Sequence, residues 1–225
     1  MTAPLNLSAL APLSTDAADL LSAPGTHLAA SVDPAFRFGR CSLSAAISLT
    51  TSSTLFVILE KGGLTLGDGK SELSLTAGQV AQIGPGTALS LSPAGECGLL
   101  ILAHLSALFP AGVQRLDLEA ALSPSPAPGA AILLTEAPSC QNFPMEGVEP
   151  ISLGLWAATP YARKPVTMAY SEVMYFLEGG TTLIDEAGNR HSFGPGEVLL
   201  APVGASLAWE NSVPVRKLFI SADPV

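Results

Sequence analysis

Charged residues are scarce in this chain, and basic residues are scarcer than acidic ones. Asp, Glu, Lys and Arg make up 13% of the 225 residues, against about 25% in an average domain. The 10 Lys and Arg face 19 Asp and Glu, which gives a net charge of −9. Nucleic-acid binding needs clustered basic side chains, so we expect no nucleic-acid partner. Hydrophobic residues form 48% of the chain, which excludes disorder.

A long hydrophobic run is also missing. The longest apolar stretch, residues 98–109, is too short to span a bilayer and contains His104 and Ser106. The first basic residue is Arg37, so we expect no positively charged start of a signal peptide. These features predict a cytoplasmic protein without a membrane partner.

Cysteine and histidine, the residues most used in disulfides and transition-metal sites, occur three times each. The cysteines are far apart and odd in number, which predicts buried apolar residues and no disulfide framework. They are Cys41, Cys97 and Cys140. The histidines are scattered: His27 lies in the N-terminal segment, His104 on an apolar strand, and His191 after a turn, where an exposed side chain is expected.

Glycine and proline, by contrast, are frequent, with 21 and 19 residues, and they separate short runs of strand-like sequence. Residues 41–50 alternate between apolar and small side chains, the period of a half-buried strand. Further strands are separated by turns such as Gly67-Asp68-Gly69 and Gly84-Pro85-Gly86. Many short strands with tight turns are typical of an antiparallel barrel or sandwich.

The second half of the chain repeats the first at an offset of 118 residues. The matching pairs are Leu59 and Leu177, Glu60 and Glu178, Gly62 and Gly180, Gly78 and Gly196, Gly86 and Gly204, and Leu89 and Leu207. Such a repeat predicts two barrels of the same topology. We expect an N-terminal segment packing on the barrels at 1–35, a first barrel at 36–105, a linker with strand or helix pieces at 106–146, and a second barrel at 147–225.

Two short helices are expected outside the strands. One covers Thr15–Leu21, with Ser14 as its N-cap, and the other covers Leu116–Leu122 in the linker. The run Ser123–Gly129 has proline at every second residue. It cannot pair in the interior of a sheet and is therefore predicted to be an exposed linker.

The spacing of glycine and proline in the second half resembles the cupin superfamily. The second cupin motif, G-x5-P-x-G-x2-H-x3-N, is filled by Gly196, Pro202, Gly204, Leu207 and Asn211. The end of the first motif, E-x6-G, fits Glu172 and Gly179. The resemblance implies an all-β fold of two RmlC-like double-stranded β-helix (jelly-roll) cupin barrels, a bicupin, with few short helices.

One branch of the superfamily is closer still, the ureidoglycine aminohydrolase-type (cupin type 3) domain. The similar segments are Gly154–Pro160, Ser171–Gly179 and Trp209–Lys217. The resemblance covers roughly residues 147–222 and reaches the first half only through the internal repeat.

Most catalytic cupins resemble one another in a metal site of three His and one Glu. Carried over onto the second barrel, these positions hold Pro165, Thr167, Glu172 and Leu207. In the first barrel they hold Ile47, Leu49, Thr54 and Leu89. A lone carboxylate cannot replace such a ligand set, so we expect no metal and no other cofactor. The missing histidines leave open whether the protein is an enzyme.

Strand alternation separates the two interiors by character. The expected inward residues of the first barrel are aliphatic apart from one threonine, namely Leu43, Ala45, Ile47, Leu49, Thr54, Leu89 and Leu91. Those of the second barrel are mixed, namely Tyr161, Arg163, Pro165, Thr167, Glu172, Leu207 and Trp209. Apolar walls with a few polar groups are typical of a small-molecule site. The candidate ligand-binding residues are Tyr161, Arg163, Thr167, Glu172 and Trp209.

Arg163 and Glu172 need partners because an isolated buried charge is costly. Either they form a structural ion pair, or Arg163 reaches the barrel mouth, or both serve a ligand. In the last case Arg163 anchors a small carboxylate or amide, and Glu172 is an acceptor or acid/base group. We expect Trp156 to be a core aromatic, and one charge of Arg216-Lys217 to lie outside the barrel.

Three functions follow. The first is a metal-free bicupin that binds a small organic ligand in the second barrel. The second is a metal-independent hydrolase or isomerase that uses Glu172 as its catalytic acid/base. The third is a structural or regulatory protein with filled barrels. A homodimer and a monomer that imitates one are both left open.

Overall fold

A computed structural model describes residues 3–13, 17–24, 29–30 and 36–224. The chain divides into two compact units. One is Ala9–Asp117, here called the first barrel, and the other combines Met1–Ser8 with Leu118–Val225, here called the second barrel. Within the described residues, no helix has the length and apolar character needed to cross a membrane.

The described elements of the N-terminal half are short strands with two short helical pieces. The strands are β1 (Leu5–Asn6), β2 (Ala29–Ala30), β3 (Phe36–Leu43), β4 (Ile47–Thr50), β5 (Thr54–Lys61), β6 (Gly63–Gly67), β7 (Glu72–Thr76), β8 (Val80–Ile83), β9 (Ala88–Pro93), β10 (Cys97–His104) and β11 (Val113–Arg115). The helical pieces are a 3-10 turn at Leu7–Ala9 and helix α1 (Ala17–Ser22).

The C-terminal half also consists of short strands, with one short helical turn. Its strands are β12 (Ser123–Ser125), β13 (Cys140–Pro144), β14 (Ile151–Ala158), β15 (Tyr161–Thr167), β16 (Ser171–Glu178), β17 (Thr181–Ile184), β18 (Arg190–Phe193), β19 (Val198–Ala201), β20 (Ser206–Asn211) and β21 (Val215–Ala222). A 3-10 turn covers Ala130–Ile132.

Both barrels are built from two antiparallel sheets with the same strand order. In the first barrel the orders are β11-β8-β5-β10-β3-β2 and β4-β9-β6-β7. In the second barrel they are β1-β19-β16-β21-β14-β13-β12 and β15-β20-β17-β18. Strands β8-β5-β10-β3 thus correspond to β19-β16-β21-β14. The predicted all-β fold of two jelly-roll barrels with few short helices is confirmed.

The core of the first barrel lies between its two sheets and is almost wholly aliphatic. Alternate residues of β5 point into it, Leu55, Val57 and Leu59. Helix α1 adds Leu20 and Leu21, both fully buried. This interior has the side-chain packing of an ordinary hydrophobic core.

The offset between the two halves is not constant. Leu55 pairs with Ile83 and Glu172 pairs with Ala201, so Leu55, and not Thr54, is the counterpart of Glu172. The cause is the hairpin between β17 and β18. Leu66 pairs with Leu73 across the first hairpin, whereas Leu183 pairs with His191 across the second. The second turn is therefore one residue longer, and the offset of 118 holds only after it.

Thr54 correspondingly does not face the first barrel's core. Its side chain is fully buried, and Oγ1 donates a hydrogen bond to the Ala107 carbonyl at 2.6 Å. Ala45 was also expected to point inward and is exposed. It lies in a bend that splits the predicted strand 41–50 into β3 and β4, so the two-residue period is broken there.

The predicted helix at Leu116–Leu122 is wrong. This segment is a turn whose backbone is bound elsewhere: the Leu116 N–H donates to the Val80 carbonyl at 2.9 Å. The Arg216 guanidinium donates to the carbonyls of Leu118 and Ala120, both at 2.9 Å. These bonds replace the i to i+4 ladder that a helix would require.

The proline-rich run begins with strand β12, which pairs with β13 at the edge of its sheet. An edge is where a residue without an N–H is tolerated. Helix α1 overlaps the predicted helix at Thr15–Leu21. Ser14, Thr15 and His27 lie outside the described residues.

Candidate functional site

A cavity of about 310 Å³ lies in the second barrel. Its lining includes all of the candidate ligand-binding residues, which are Tyr161, Arg163, Thr167, Glu172 and Trp209. The structure thus brings them together around one space. Trp156, Tyr170, Met174 and Lys217 line the same cavity.

Cross-strand register determines which side chains meet in the cavity. Arg163 on β15 pairs with Trp209 on β20, and Trp156 on β14 pairs with Lys217 on β21. Residues directly opposite each other on antiparallel strands point to the same face. The two sheets of the barrel therefore each contribute one cation and one tryptophan to the lining.

Glu172 is paired with Lys217 and not with Arg163. The Lys217 Nζ donates a hydrogen bond to Glu172 Oε1 at 2.7 Å. The two side chains are only 8% and 11% exposed, so the charges have little contact with water and depend on each other. Of the alternatives left open by the sequence, the Arg163–Glu172 ion pair is therefore wrong, and the cation that pairs with Glu172 comes from β21.

Two indole rings and a thioether surround the Lys217 ammonium. Its Nζ lies 5.2 Å from the ring centroids of both Trp156 and Trp209. Both distances are within the range of a cation–π interaction. The Nζ also lies 3.1 Å from the Met174 sulfur. Lys217 is thus a buried cation in an aromatic box with one carboxylate.

Arg163 is bound to the barrel wall through one nitrogen. Its Nη1 donates to the Leu207 carbonyl at 2.9 Å and to the Lys164 carbonyl at 3.3 Å. A guanidinium carries five N–H donors in a planar fork, so the two carbonyl bonds of Nη1 and the side-chain hydrogen bond with Tyr161 leave capacity for a ligand. The Arg163 side chain is half-buried, which fits a residue between the interior and the mouth.

Tyr161 lies beside Arg163 and stacks on Trp209. The rings of Tyr161 and Trp209 are 6.2 Å apart with an interplanar angle of 24°. Burial raises the pKa of Tyr161 to about 12, although the nearby Arg163 charge acts in the opposite direction. The phenol therefore keeps its proton near neutral pH and can donate a hydrogen bond into the cavity.

The tryptophans are fixed by their own contacts. Trp156 and Trp209 meet edge to face at 6.1 Å and 89°, an arrangement that aromatic pairs favour. The Trp209 Nε1 donates to Asn211 Oδ1 at 2.9 Å. Trp156, expected only in the core, thus also belongs to the cavity wall.

Pro165 does not point into the barrel as expected. The pairing of β15 with β20 is irregular between Arg163 and Val166, which is the pattern of a β-bulge. The bulge contains Lys164 and Pro165, both exposed, and it turns Val166 toward the cavity. Proline has no N–H for the ladder, which accounts for the bulge at this position.

The positions of cupin metal ligands hold residues that cannot form such a site. Leu207 is buried in the apolar cluster of the second barrel, and the Glu172 carboxylate is bonded to an ammonium. In the part of the chain that the structure describes, no three His, Cys, Asp or Glu side chains are grouped to hold a metal ion.

The described histidines lie away from the cavity. His104 is fully buried on β10, and its Nδ1 accepts the N–H of Ala107 at 2.9 Å. His191 was expected to be exposed but is half-buried. Its Nε2 lies 3.0 Å from Asp185 Oδ2, so it belongs to the β17–β18 turn.

A second cavity of about 280 Å³ is lined by Asn142, Phe219 and Ser221 together with residues of the first. The shared residues are Trp156, Tyr170, Glu172 and Lys217. The Glu172 charge raises the pKa of Tyr170, and burial acts in the same direction. The ion pair thus borders both spaces in the second barrel.

Lys217 is a cavity-lining charge that the sequence did not predict. The signal for it was present, since Val215 is an inward residue of β21 and Lys217 lies two residues later, on the same face. The prediction that one charge of Arg216-Lys217 lies outside the barrel agrees with this alternation. Arg216 binds loop carbonyls, and Lys217 is the inner charge.

The two facing sheets and the motif spacing are those of the cupin fold, and the second barrel is similar to a known cupin domain. Residues 146–219 match the family model described as a EutQ-like cupin domain. This match lies within the second barrel, at the segment that carries the cavity.

Solved structures extend the likeness over the whole chain. A protein of unknown function of the DUF861 family from Pseudomonas syringae pv. tomato is 26% identical, with a TM-score of 0.83, over 97% of this chain and 99% of that one. Protein Ylba from E. coli, also of DUF861, is 11% identical, with a TM-score of 0.58, over 97% and 89% of the two chains.

A salicylate 1,2-dioxygenase from Pseudaminobacter salicylatoxidans is 11% identical, with a TM-score of 0.59, over 90% of this chain and 75% of that one. Likeness at this identity shows the shared fold alone. The comparison with curated proteins gave no match.

Proposed function

We propose that this cupin-fold protein binds a small organic carboxylate or amide in the 310 Å³ cavity of its second barrel, without a metal. The observation that carries the proposal is the lining itself. A guanidinium and an ion pair face a space otherwise walled by aromatic and aliphatic side chains. Few convergent polar groups in an apolar cavity are the usual composition of a ligand site.

In this proposal the polar residues have separate roles. Arg163 offers a planar fork that matches a carboxylate or a primary amide. Tyr161 and Trp209 stack against the apolar part of the ligand, and Thr167 contributes a hydroxyl at the exposed rim. Glu172 is the buried acceptor in the cavity lining, and Lys217 orients it.

We further propose that the chain is a bicupin whose second barrel is closest to the ureidoglycine aminohydrolase-type branch. The common strand order of the barrels supports the first part, and the segments around Trp156, Glu172 and Trp209 support the second. The metal-dependent activity of that branch is not proposed for this chain, because Pro165, Thr167 and Leu207 stand where its histidine ligands would be needed.

The two alternatives have unequal support. A protein with filled barrels is disfavoured for the second barrel by its cavity. A metal-independent hydrolase or isomerase would use Glu172, whose carboxylate borders both cavities. The variant Glu172→Gln would abolish turnover in that case, while binding of a carboxylate through Arg163 would persist.

Ligand-observed NMR with three probes that share one ring tests the binding proposal. Benzoate, benzamide and benzyl alcohol differ only in the group offered to Arg163. We expect benzoate to bind, and Arg163→Gln to weaken it about 10- to 100-fold, because a charge-assisted hydrogen bond is worth about 1.5–3 kcal/mol. Benzyl alcohol should be insensitive to the substitution.

Arg190→Gln is the matched control. It removes a positive charge from the same barrel at an exposed ion pair with Glu210, away from the cavity lining. Equal benzoate affinity in wild type and Arg163→Gln would contradict the proposal, as would failure of all three probes to bind. One transition metal per purified chain would contradict its metal-free part.

A further inference from the structure

Lys217 has a position that binding through Arg163 alone does not explain. Its ammonium lies inside the barrel and lines the cavity, although a lysine is rarely buried without a reason. Its nearest polar atom is the Glu172 Oε1 at 2.7 Å. A buried amine beside a carboxylate, at the wall of a cavity, is an arrangement suited to covalent chemistry with a carbonyl group.

We propose that Lys217 forms a reversible imine with a small oxo acid whose carboxylate is held by Arg163. This inference rests on the proposed function, because it uses the same cavity as the binding site. It deepens that function by naming the ligand class: a small molecule that carries both a carboxylate and an aldehyde or ketone.

The reaction balances with the groups that are present. Glu172 accepts one proton from the Lys217 ammonium, which frees the nitrogen lone pair to attack the carbonyl carbon. A C–N bond forms, Glu172 returns its proton to the former carbonyl oxygen, and the C–O bond breaks as that oxygen leaves as water with two of the three ammonium protons. The third proton stays on the nitrogen. Ammonium and ketone thus yield a protonated imine and water, with no oxidant or reductant.

The surroundings of Lys217 suit the product as well as the reactant. A protonated imine carries the same positive charge at the same nitrogen. It keeps the ion pair with Glu172 and the cation–π contacts with Trp156 and Trp209. Because no charge is lost from the buried position, imine formation does not leave the carboxylate unpaired.

The ligand class follows from the two charged groups that the facing sheets contribute to the cavity lining. Arg163 on one sheet supplies the carboxylate anchor, and Lys217 on the other sheet supplies the amine. A ligand with only a carboxylate satisfies the first group, and a simple aldehyde satisfies the second. An oxo acid engages both, which holds the carbonyl carbon near the amine and favours the addition.

Reductive trapping tests the inference. The full-length protein is incubated with pyruvate and sodium cyanoborohydride, which converts an imine into a stable secondary amine, and the adduct is located by peptide mass spectrometry. The other lysines of the sequence, Lys61, Lys70 and Lys164, serve as internal references. Lactate, which lacks the carbonyl, replaces pyruvate as the negative control.

We expect an adduct at Lys217, its suppression by excess benzoate, and its complete loss in Lys217→Arg but not in Lys61→Arg. The assignment to Lys217 is made on the wild-type protein, so it stands even if the Lys217 variant does not fold. An adduct at Lys217 that benzoate does not suppress would overturn the assignment of the oxo acid to this cavity.

Adducts confined to the other lysines or to the N-terminal amine would overturn the imine. The benzoate titration then distinguishes a failure of imine formation from a failure of ligand binding. Intact benzoate binding with Arg163 dependence would mean that only the covalent step fails. Loss of both results would mean that the binding proposal fails as well.

Discussion

Removing the Lys217 ammonium should destabilise the second barrel more than the loss of any exposed charge. In Lys217→Met the apolar stem is kept and the Glu172 carboxylate is left buried without its partner. At 2.7 Å and an effective dielectric constant of about 20, the attraction is about 6 kcal/mol. Desolvation of both ions offsets much of it, and breaking such a pair from one side costs about 3–5 kcal/mol.

Urea unfolding followed by tryptophan fluorescence measures this loss. Both tryptophans of the chain, Trp156 and Trp209, lie in the second barrel, so the emission reports on that unit. We expect Lys217→Met to lower the free energy of unfolding by about 3–5 kcal/mol. The double variant Glu172→Gln/Lys217→Met should lose less than the sum of the single losses.

Arg190→Met is the control for charge removal. Its ion pair with Glu210 has side chains 57% and 39% exposed, and exposed pairs contribute about 0–1 kcal/mol. Two results would show that the buried pair does not stabilise the barrel as expected. One is a loss of unfolding free energy in Lys217→Met no larger than that in Arg190→Met. The other is a loss in the double variant equal to the sum of the losses in Glu172→Gln and Lys217→Met.

Two further predictions concern the turns of the second barrel. The hydrogen bond from His191 is the main cause that lowers the pKa of Asp185 from 3.8 to about 2, so its stabilisation is complete above pH 3.8 and is lost as the pH falls through about 2. The Tm difference between wild type and Asp185→Asn should shrink over that range, and a difference independent of pH would contradict this account. Gly188→Ala should cost about 1 kcal/mol for its left-handed backbone alone, since an added Cβ meets open space. Gly179→Ala should cost more in urea unfolding because its Cβ would also overlap the Pro214 carbonyl, and equal losses would refute the difference.

The period of two explains why most of the candidate site was predictable. Tyr161, Arg163 and Trp209 lie on strands whose alternation is regular up to the positions concerned, so their inward direction follows from the sequence. Glu172 was assigned to the interior through the cupin motif spacing. The cavity lining contains each of them.

The predictions that were wrong concern two kinds of position. Some lie at or after an extra residue in a strand or turn, and the others depend on contacts between residues far apart in the sequence. A bulge at Lys164 and Pro165 shifts the alternation of β15, so that Val166 and not Pro165 lines the cavity. One extra residue in the β17–β18 turn shifts the equivalence of Leu55 and Glu172. The repeat of glycine and apolar positions between the two halves does not reveal either extra residue, because glycine-rich turns produce matches at more than one offset.

The partner of Glu172 depends on tertiary register, which no local pattern contains. Strand alternation and the motif spacing predict that Arg163 and Glu172 share one interior, and an ion pair between them was therefore one of the alternatives. Glu172 pairs with Lys217 and not with Arg163 because β21 is the direct neighbour of β16, whereas β15 belongs to the opposite sheet. The Glu172–Lys217 pair joins adjacent strands, whereas an Arg163–Glu172 pair would have to cross the barrel.

The ends of the seven-stranded sheet have a consequence for self-association. Its outermost strands are β1, with two residues, and β12, with three residues centred on Pro124. Short or proline-bearing edges offer few free N–H and C=O groups to another chain. A β-rich chain with so few charges is thereby protected at this sheet from edge-to-edge aggregation, and copies that meet here are expected to do so through side chains.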